Sequence, residues 1–367
     1  MRSSARAPPI TSTITTTDGP RPVVAVDCNG ADLGPAEVAA GAAIAAERGA
    51  RVLLFGPAAE LGDLPAGVEV EDAPVSIAKM PDPVKAARTT PEASIVRAAR
   101  AVAEGRADAL VCAGGTGAAL AAGMFNIKRA PGIYRPALAL PLPVPEHPVT
   151  LLDVGANADA RREHLVQFAY MGAALASSVL GVRRPRVGLL SNGEESGRGS
   201  ELVQEAHAEL AARAGDGRDG ILEFVGNVEG DDLVAGRADV IVTDGFTGNV
   251  ALKLIEGVSQ TIIAGIRTAA RSSLRGRAGG LLLRGALGGF REEIDPETPG
   301  GAYLLGLRRL GVVPHGRFTR RGFANAILRA DLGAREDLVG ATHRALQAAD
   351  ALRRSPVSAQ PVSLTRP

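Results

Sequence analysis

Short apolar runs alternate with longer helical patterns along most of this chain, and turn residues such as Gly, Pro, Asn and Asp separate them. Short runs of apolar, often β-branched residues are typical of strands buried on both faces of a sheet. Their alternation with helices predicts an α/β fold, in which a mostly parallel sheet is flanked by helices. The predicted strands cover residues 23–26, 52–55, 109–113, 151–154, 187–190, 222–225, 240–242 and 312–313, and the predicted helices cover residues 35–48, 81–104, 163–180, 201–212, 250–270 and 321–330.

The length of the chain limits the number of domains. Its 367 residues allow one large domain or two moderate ones. Both ends, residues 1–22 and 355–367, have the composition of disordered tails. We therefore predict one α/β unit over residues 23–354.

Composition argues against several classes of protein. A formal net charge of +1, an aromatic content of 3% and the absence of Trp offer little for contacts with nucleic acid. Two cysteines, Cys28 and Cys112, are too few for a disulfide scaffold or a metal cluster, and they fit a reducing cytosol. Residues 1–22 lack the apolar core of a secretory signal, and no run reaches the ~18 apolar residues of a membrane span. These features predict a cytoplasmic protein.

Six loops that follow predicted strands hold most of the unusual polar residues of the chain. Each is rich in Gly, Asn, Asp or Glu, and any one of them is a weak signal because tight βα loops require such residues. In parallel α/β sheets, ligands bind beyond the carboxyl ends of the strands, so we expect all six loops on one face. The loops cover residues 27–32, 113–117, 153–157, 191–199, 226–230 and 244–249.

The loop at residues 244–249 is the most informative of the six. A β-branched run at residues 240–242 leads into Asp244, Gly245, Gly248 and Asn249, and a helical pattern follows. A turn of this kind directs unpaired backbone N–H groups and the positive end of a helix at one point. The pattern therefore predicts an anion site, commonly for phosphate.

One segment interrupts the alternation of strands and helices. Residues 271–292 combine apolar residues with five arginines, and the acidic residues appear only at the end. Such a basic amphipathic excursion is typical of a segment that touches a membrane surface, or of a hairpin packed against a partner subunit. The sequence leaves both interpretations open.

Beyond these patterns, the sequence resembles the PlsX family of phosphate acyltransferases. The matching runs occur in the family's order over roughly residues 23–330. They are Arg135-Pro-Ala-Leu-Ala139, Asp153-Val-Gly-Ala-Asn157, Glu163-His-Leu-Val-Gln-Phe-Ala169, Pro185-Arg-Val-Gly-Leu-Leu190, Phe224-Val-Gly-Asn-Val-Glu-Gly230, Ala238-Asp-Val-Ile-Val-Thr-Asp-Gly-Phe-Thr-Gly-Asn-Val-Ala-Leu-Lys253 and Gly300-Gly-Ala302.

The resemblance implies a homodimeric α/β enzyme, similar in fold to isocitrate and isopropylmalate dehydrogenases and to phosphotransacetylase. It implies transfer of a fatty acyl group from acyl carrier protein to inorganic phosphate. The resulting acyl phosphate would serve a membrane glycerol-3-phosphate acyltransferase in phospholipid synthesis. The resemblance implies neither a nicotinamide cofactor nor a metal.

Three loops depart from the family's pattern. The usual Asp-Ala-Met-Gly-Gly-Asp is Asp27-Cys-Asn-Gly-Ala-Asp32 here, and the usual Ala-Gly-Asn-Thr-Gly-Ala has Gly115 in place of Asn. The usual His-Gly-Ser-Ser is His315-Gly-Arg-Phe318, which introduces Arg317. These departures fit a divergent subfamily, or an altered preference for the acyl group or the carrier.

The implied reaction needs no nucleophile from the enzyme. A phosphate dianion must be held, the oxyanion that develops on the thioester carbonyl must be stabilised, and a thiolate must leave. Positioning contributes ~7 to 11 kcal/mol and each oxyanion donor ~3 to 4 kcal/mol. Glycines, amides and a few cations are therefore chemically adequate.

The candidate site residues follow from this chemistry. Lys253, Asn249 and His315 are the catalytic candidates, with His315 as general acid for the leaving thiolate. Asn157 and Asn249 suit an oxyanion, although both also suit helix caps, and Lys253 and Arg198 also suit solvated surface positions. The candidate phosphate-binding residues are Gly114, Gly115, Thr116, Gly117, Asn157, Arg198, Asp244, Gly245 and Gly248.

Three acidic residues at strand ends, Asp27, Asp32 and Asp153, are interpreted as structural. Carboxylates would repel a phosphate dianion, so their expected role is to hold cations or loop N–H groups in place. Cys28 is rejected as an acyl-accepting nucleophile, because the family usually has Ala at this position.

Other functions remain open at this point. One alternative is an enzyme similar to phosphotransacetylase that uses acyl-CoA. Another is a scaffold of the lipid pathway that has lost catalysis through the altered loops. A nicotinamide dehydrogenase is disfavoured, because the first βα turn has no Gly-x-Gly-x-x-Gly.

Overall fold

An eleven-stranded sheet forms the centre of the protein. The computed structural model describes residues 21–145, 147–214 and 220–353, so most of both predicted tails lies outside the described residues. The strands are β1 (Val23–Asp27), β2 (Arg51–Gly56), β3 (Val68–Asp72), β4 (Ala109–Cys112), β5 (Ala137–Leu142), β6 (Val149–Leu152), β7 (Arg186–Leu190), β8 (Glu223–Val228), β9 (Val240–Val242), β10 (Ala302–Leu305) and β11 (Leu310–Val313).

Helices cover both faces of the sheet, which confirms the predicted α/β class. The predicted helix at residues 81–104 is two helices, and the helix expected from Val250 begins five residues earlier. The helices are α1 (Pro35–Glu47), α2 (Pro83–Thr89), α3 (Ser94–Ala103), α4 (Thr116–Ala122), α5 (Arg162–Ser178), α6 (Glu201–Ala214), α7 (Gly245–Arg271), α8 (Leu274–Glu293), α9 (Arg320–Arg335) and α10 (Leu338–Ala348).

The strands run in two directions. Their order in the sheet is β3-β2-β1-β4-β11-β10-β5-β6-β9-β7-β8. Strand β10 is antiparallel to both of its neighbours, and β5 is antiparallel to β6, while the other pairs are parallel. Consequently β6, β9, β7 and β8 run opposite to β1, β2, β3, β4 and β11.

This topology corrects the expectation that all six strand-end loops share one face. The loops after β1 and β4 belong to one group of strands, and the loops after β6, β7, β8 and β9 belong to the other. The pattern of apolar runs does not encode strand direction, because a strand presents the same alternation whichever way it runs. The loops therefore form two clusters.

The core lies in two layers, one on each face of the sheet. In β1, Val24 and Val26 face the layer that holds α1, α5 and α9, whereas Ala25 faces the layer that holds α3 and α4. Successive strand residues point to opposite faces, so both sides of a central strand must be apolar. This explains why the central strands appear as continuous apolar runs.

Most of the predicted basic excursion at residues 271–292 is helical. It forms most of α8, which follows the 27-residue α7. Leu252 and Ile255 of α7 pack against the core layer that holds α3 and α4. Within the described chain, no helix is both long enough and apolar enough to cross a membrane.

Candidate functional site

The N-terminus of α7 is capped by the protein itself. The carboxylate of Asp244 accepts hydrogen bonds from the backbone N–H groups of Phe246 and Thr247, at 3.0 and 2.9 Å. The N–H of Gly245 donates to the carbonyl oxygen of Asn157 at 2.7 Å, and the N–H of Gly248 makes the first bond within the helix. The expectation of unpaired N–H groups here is corrected, because the Asp244 carboxylate already fills the anion position.

The loop after β6 is built around the buried carboxylate of Asp153. It accepts five hydrogen bonds of 2.8 to 3.2 Å, four from backbone N–H groups and one from the side chain of Asn157. The second N–H of the Asn157 amide donates to the carbonyl oxygen of Pro136 at 2.8 Å. Asn157 therefore has no free hydrogen for an oxyanion, and its contacts are those of a structural residue.

Glycines let this loop approach α7. A Cβ atom on Gly245 would lie 2.9 Å from Oδ2 of Asp153, and one on Gly248 would lie 2.0 Å from the backbone oxygen of Asp153. Any side chain at Gly248 would force the loop away. Gly245 and Gly248 thus serve close packing. Their backbone N–H groups already have acceptors, so neither offers a free donor to phosphate.

Asn249 and Lys253 lie one turn apart on α7, and both keep free polar groups. The Asn249 side chain lies beside Gly155, with its Cγ 3.8 Å from where a Cβ of Gly155 would be. Neither side chain has a hydrogen-bond partner among the described residues. The next residue along this face, Glu256, pairs with Arg317 at 3.2 Å.

The second cluster of loops follows β1, β4 and β11. The N–H of Asp32 donates to the carbonyl oxygen of Gly316 at 2.7 Å. A Cβ on Gly30 would lie 1.6 Å from the carbonyl oxygen of Ala113, and one on Gly316 would lie 3.5 Å from the Cα of Gly114. Three separate loops therefore meet in direct contact.

In this second cluster, α4 begins without a cap. Its N-cap is Gly115, which has no side chain to accept a hydrogen bond. Among the described residues, the N–H groups of Gly114, Gly115, Thr116 and Gly117 find no acceptor. A π turn at Gly123–Ile127 continues α4 directly. The donors expected at the α7 turn are thus found here instead.

His315 connects this cluster to α7. Burial lowers the pKa of its imidazole, and the nearby charges of Arg317 and Lys253 lower it further, against the opposite effects of Glu256 and Asp32. The ring is therefore mainly neutral at pH 7. The loop of His315 reaches α7 through the pairing of Arg317 with Glu256 at 3.2 Å. Glu256 lies three residues after Lys253, and the catalytic roles of Lys253, Asn249 and His315 stay predictions.

Arg198 does not join this group of residues. Its guanidinium pairs with Glu195 at 3.4 Å, and it lies in the exposed loop after β7. Strand β7 is six positions from β4 in the sheet, which corresponds to roughly 29 Å at the usual strand spacing of ~4.8 Å. The structure therefore does not place Arg198 with Gly114–Gly117.

Asp27 anchors the loop after β1. Its buried carboxylate accepts a hydrogen bond of 2.5 Å from the hydroxyl of Ser94, and the N–H of Asn29 donates to the same oxygen at 3.2 Å. The Asn29 side chain in turn donates to Ser94 and to the backbone oxygen of Ala73. These hydrogen bonds are those of a residue that holds the loop in place, which is the role expected for Asp27.

Sequence reasoning missed several of these contacts. Ser94 begins α3 and is 67 positions from Asp27, so no local pattern links them. Lys79 lies 3.9 Å from Asp32, and Arg317 pairs with Glu256, again across separate elements. Among the described residues, no group of three or more His, Cys, Asp or Glu side chains is arranged to hold a metal ion.

Cys28 is buried, and burial raises the pKa of its thiol well above the usual value. A protonated, inaccessible thiol is a poor nucleophile. This supports its rejection as an acyl acceptor.

The substitution Asp27→Asn is expected to leave the free energy of unfolding at pH 8 unchanged or higher. Burial raises the pKa of Asp27, while its hydrogen bonds act against that shift. The wild-type protein therefore gains stability as the pH falls through the raised folded pKa towards the unfolded one. An amide keeps the oxygen that accepts from Ser94 and Asn29 but never ionises.

Urea unfolding at pH 8 and pH 5 measures this effect. The advantage of Asp27→Asn over wild type should shrink at pH 5, whereas Asp32→Asn, at an exposed site, should show no such trend. An advantage that grows on acidification would contradict the assignment.

Comparison with known proteins gives a consistent picture. A family model described as "Fatty acid synthesis protein" matches residues 23–339. The phosphate acyltransferase of Thermobifida fusca is 43% identical over 84% of this chain and 87% of its own length. That of Nitratidesulfovibrio vulgaris (strain DP4) is 44% identical over 83% of this chain and 89% of its own.

Solved structures agree on the fold. The EutD phosphotransacetylase of Staphylococcus aureus superposes with a TM-score of 0.56 at 18% identity, covering 85% of this chain and 94% of that one. A phosphotransacetylase of Streptococcus pyogenes gives 0.56 at 17% identity, covering 84% and 93%. At these identities the likeness concerns the fold alone.

Proposed function

This chain belongs to the phosphate acyltransferase (PlsX) family and is an acyltransferase, and from this premise we propose that it transfers a fatty acyl group from acyl carrier protein to inorganic phosphate. The product would be an acyl phosphate, which a membrane glycerol-3-phosphate acyltransferase would use in phospholipid synthesis. We propose a cytoplasmic location with contact at the inner face of the membrane.

The observation that carries the proposal is the uncapped start of α4. Four consecutive N–H groups, from Gly114 to Gly117, have no acceptor among the described residues. A phosphate held there would face the loop of His315, because Gly316 lies against Gly114. Lys253 would supply a positive charge from α7, which the His315 loop contacts through the pairing of Arg317 with Glu256. A phosphate bound in this way would have backbone donors and a cation to balance its charge.

The chemical step forms a bond between a phosphate oxygen and the carbonyl carbon, and it breaks the bond between that carbon and sulfur. Lys253 and Asn249 are free to donate to the oxyanion that develops. A neutral His315 suits a base that accepts the proton from phosphate and passes it to the leaving thiolate. This refines the expected role of His315, because a lowered pKa disfavours the imidazolium at pH 7.

Purified protein incubated with palmitoyl-acyl carrier protein and phosphate should form palmitoyl phosphate, trapped as its hydroxamate. A parallel reaction with palmitoyl-CoA tests the alternative donor. Faster turnover of palmitoyl-CoA than of the carrier-protein thioester would favour an enzyme that uses acyl-CoA, as the alternative similar to phosphotransacetylase does. The absence of product from both thioesters at saturating phosphate would refute the proposal and favour the non-catalytic scaffold.

We further propose that a second copy of the chain covers α7. Six apolar side chains occur at four-residue intervals along this helix, and each is between 47% and 66% exposed. A contiguous apolar stripe of this length is typical of a protein interface. A homodimer would bury it beside Asn249 and Lys253. The six residues are Phe246, Val250, Leu254, Val258, Ile262 and Ile266.

The substitution Ile262→Glu is expected to weaken dimerisation at least ~10-fold, because it would bury an unpaired charge at the interface. Sedimentation velocity over a range of protein concentrations measures the change. Gln260→Glu, at another exposed position on the same helix, should leave dimerisation unchanged. A monomeric wild type, or an unaffected variant, would contradict the assignment of this stripe.

The membrane contact is proposed for α8 rather than α7. Leu282 and Leu283 are exposed on α8, and Arg275 and Arg277 are exposed nearby. Apolar side chains beside cations suit the surface of an anionic bilayer. Vesicle sedimentation of the double variant Leu282→Ser, Leu283→Ser should show reduced binding, and undiminished binding would rule out this contact.

A further inference from the structure

Four exposed apolar side chains lie on two segments beside the second loop cluster. Leu33 follows the β1 loop, and Val75, Met80 and Val84 lie between β3 and the second turn of α2, each 39% to 58% exposed. The two segments form one surface, since the Ser76 hydroxyl donates to the backbone oxygen of Asn29 at 2.7 Å. We call the surface of residues 32–33 and 75–88 the rim surface.

The rim surface directly borders the uncapped start of α4. A Cβ on Gly115 would lie 3.0 Å from the backbone oxygen of Ala78, and one on Gly117 would lie 2.8 Å from Cγ of Pro83. Helix α2 packs along α4. A molecule bound on the rim surface would therefore lie immediately outside the proposed phosphate site.

Cations stand among these apolar side chains. The ammonium of Lys85 has no partner among the described residues, and the guanidinium of Arg88 lies 4.5 Å from the centre of the Phe125 ring. Lys79 is 3.9 Å from Asp32, a distance too long for a direct hydrogen bond. The other acid, Asp82, caps α2 through the N–H of Lys85. The surface therefore presents positive charge in excess.

We propose that the rim surface docks the acidic carrier protein that delivers the acyl thioester. This inference rests on the proposed function, because it assumes that the thioester arrives on a carrier. A carrier with a tethered thioester must dock close to the place where the thioester reacts, and the rim surface borders the start of α4, where phosphate is proposed to bind. Lys79, Lys85 and Arg88 complement an acidic partner, while Leu33, Met80 and Val84 offer apolar contact.

The double charge reversal Lys79→Glu, Lys85→Glu tests the docking. We expect the KM for acyl carrier protein thioester to rise at least ~10-fold at low salt, with kcat unchanged, because charges at the edge of an interface act mainly on association. The kinetics with an acyl-pantetheine thioester, which lacks the carrier, should not change. The salt dependence of the KM for the carrier should also weaken in the variant.

A matched control is the reversal Arg48→Glu, Arg51→Glu. Both arginines are exposed. Arg48 caps the end of α1 and Arg51 begins β2, so both lie away from the carboxyl end of β2. This control should leave the KM for the carrier near the wild-type value. An equal rise in both variants would indicate only a general effect of net charge and would overturn the assignment.

Other results would also overturn it. An unchanged KM for the carrier excludes docking at this surface, and an altered kcat with acyl-pantetheine places the lysines in the chemistry instead. A changed oligomeric state in sedimentation assigns the surface to a second copy of the chain. If wild type turns over neither thioester, the proposed function fails, and the affinity of the carrier for wild type and variant, measured by fluorescence anisotropy, still decides the docking.

Discussion

Replacing Lys253 by methionine is expected to lower kcat/KM for phosphate by about 10²- to 10³-fold, the usual effect of removing one donor to developing charge. The Lys253 ammonium has no partner among the described residues, and its charge acts on His315. Methionine keeps most of the apolar stem but removes the charge. Because the ammonium lowers the pKa of His315, its removal should also raise that pKa.

Initial rates at varied phosphate, measured between pH 5 and pH 9, test both effects. The acidic limb of the pH profile should move to higher pH in Lys253→Met. Lys128→Met is the matched control, since Lys128 lies at the end of the π turn and only its backbone bonds to Gly123 and Arg308. A fall of less than about threefold in Lys253→Met would remove Lys253 from the proposed mechanism.

Replacing Asp153 by asparagine is expected to lower the free energy of unfolding by about 3 kcal/mol, because it deprives buried donors of their acceptor. One carboxylate oxygen accepts from both the backbone and the side-chain N–H of Asn157. In the variant, an amide nitrogen at the position of that oxygen would place its own N–H groups against these two donors, and neither donor would have an acceptor. Burial raises the pKa of Asp153, although its hydrogen bonds oppose the shift. The loop therefore depends on an acceptor that is removed from water.

Urea unfolding at pH 7.5 compares Asp153→Asn with wild type. Asp159→Asn, an exposed change six residues along the same loop, should alter stability by less than about 0.5 kcal/mol. The α7 start should also loosen in Asp153→Asn, since Gly245 donates to Asn157, and hydrogen exchange of the Gly245 amide should accelerate. Equal stability of the two variants would show that the five bonds of Asp153 contribute little.

The sequence predicted the elements of this fold better than their arrangement. The central strands were predicted, since continuous apolar runs mark strands buried on both faces. β3 was missed because Val68-Glu-Val-Glu-Asp72 is half polar at the edge of the sheet, and β5 and β10 were missed among Pro- and Gly-rich neighbours. The antiparallel pairings of β10 with β11 and β5, and of β5 with β6, reverse the strand direction, and no apolar pattern reports that reversal.

At the candidate site too, the sequence predicted the local elements better than the contacts between them. The strand, turn and helix around Asp244 were predicted correctly. The expectation of unpaired N–H groups at this turn was wrong. The anion at this helix start is the side chain of Asp244 itself. Free donors occur instead at Gly114–Gly117, where the N-cap is a glycine. The sequence indicates where backbone donors occur, but it does not show which of these donors already bond to an acceptor on a neighbouring loop.

By itself, the sequence determined the α/β class, most strand and helix positions and the residue types from which the site is built, because these depend on near neighbours along the chain. The tertiary structure alone decided that the strand-end loops form two clusters and that the loop of His315 meets α7 through the pairing of Arg317 with Glu256. It also decided that the hydrogen bonds of Asp153 and Asn157 hold loops together. Those outcomes depend on strand direction and on contacts between distant residues, where a buried polar group must bond to whatever the fold places beside it.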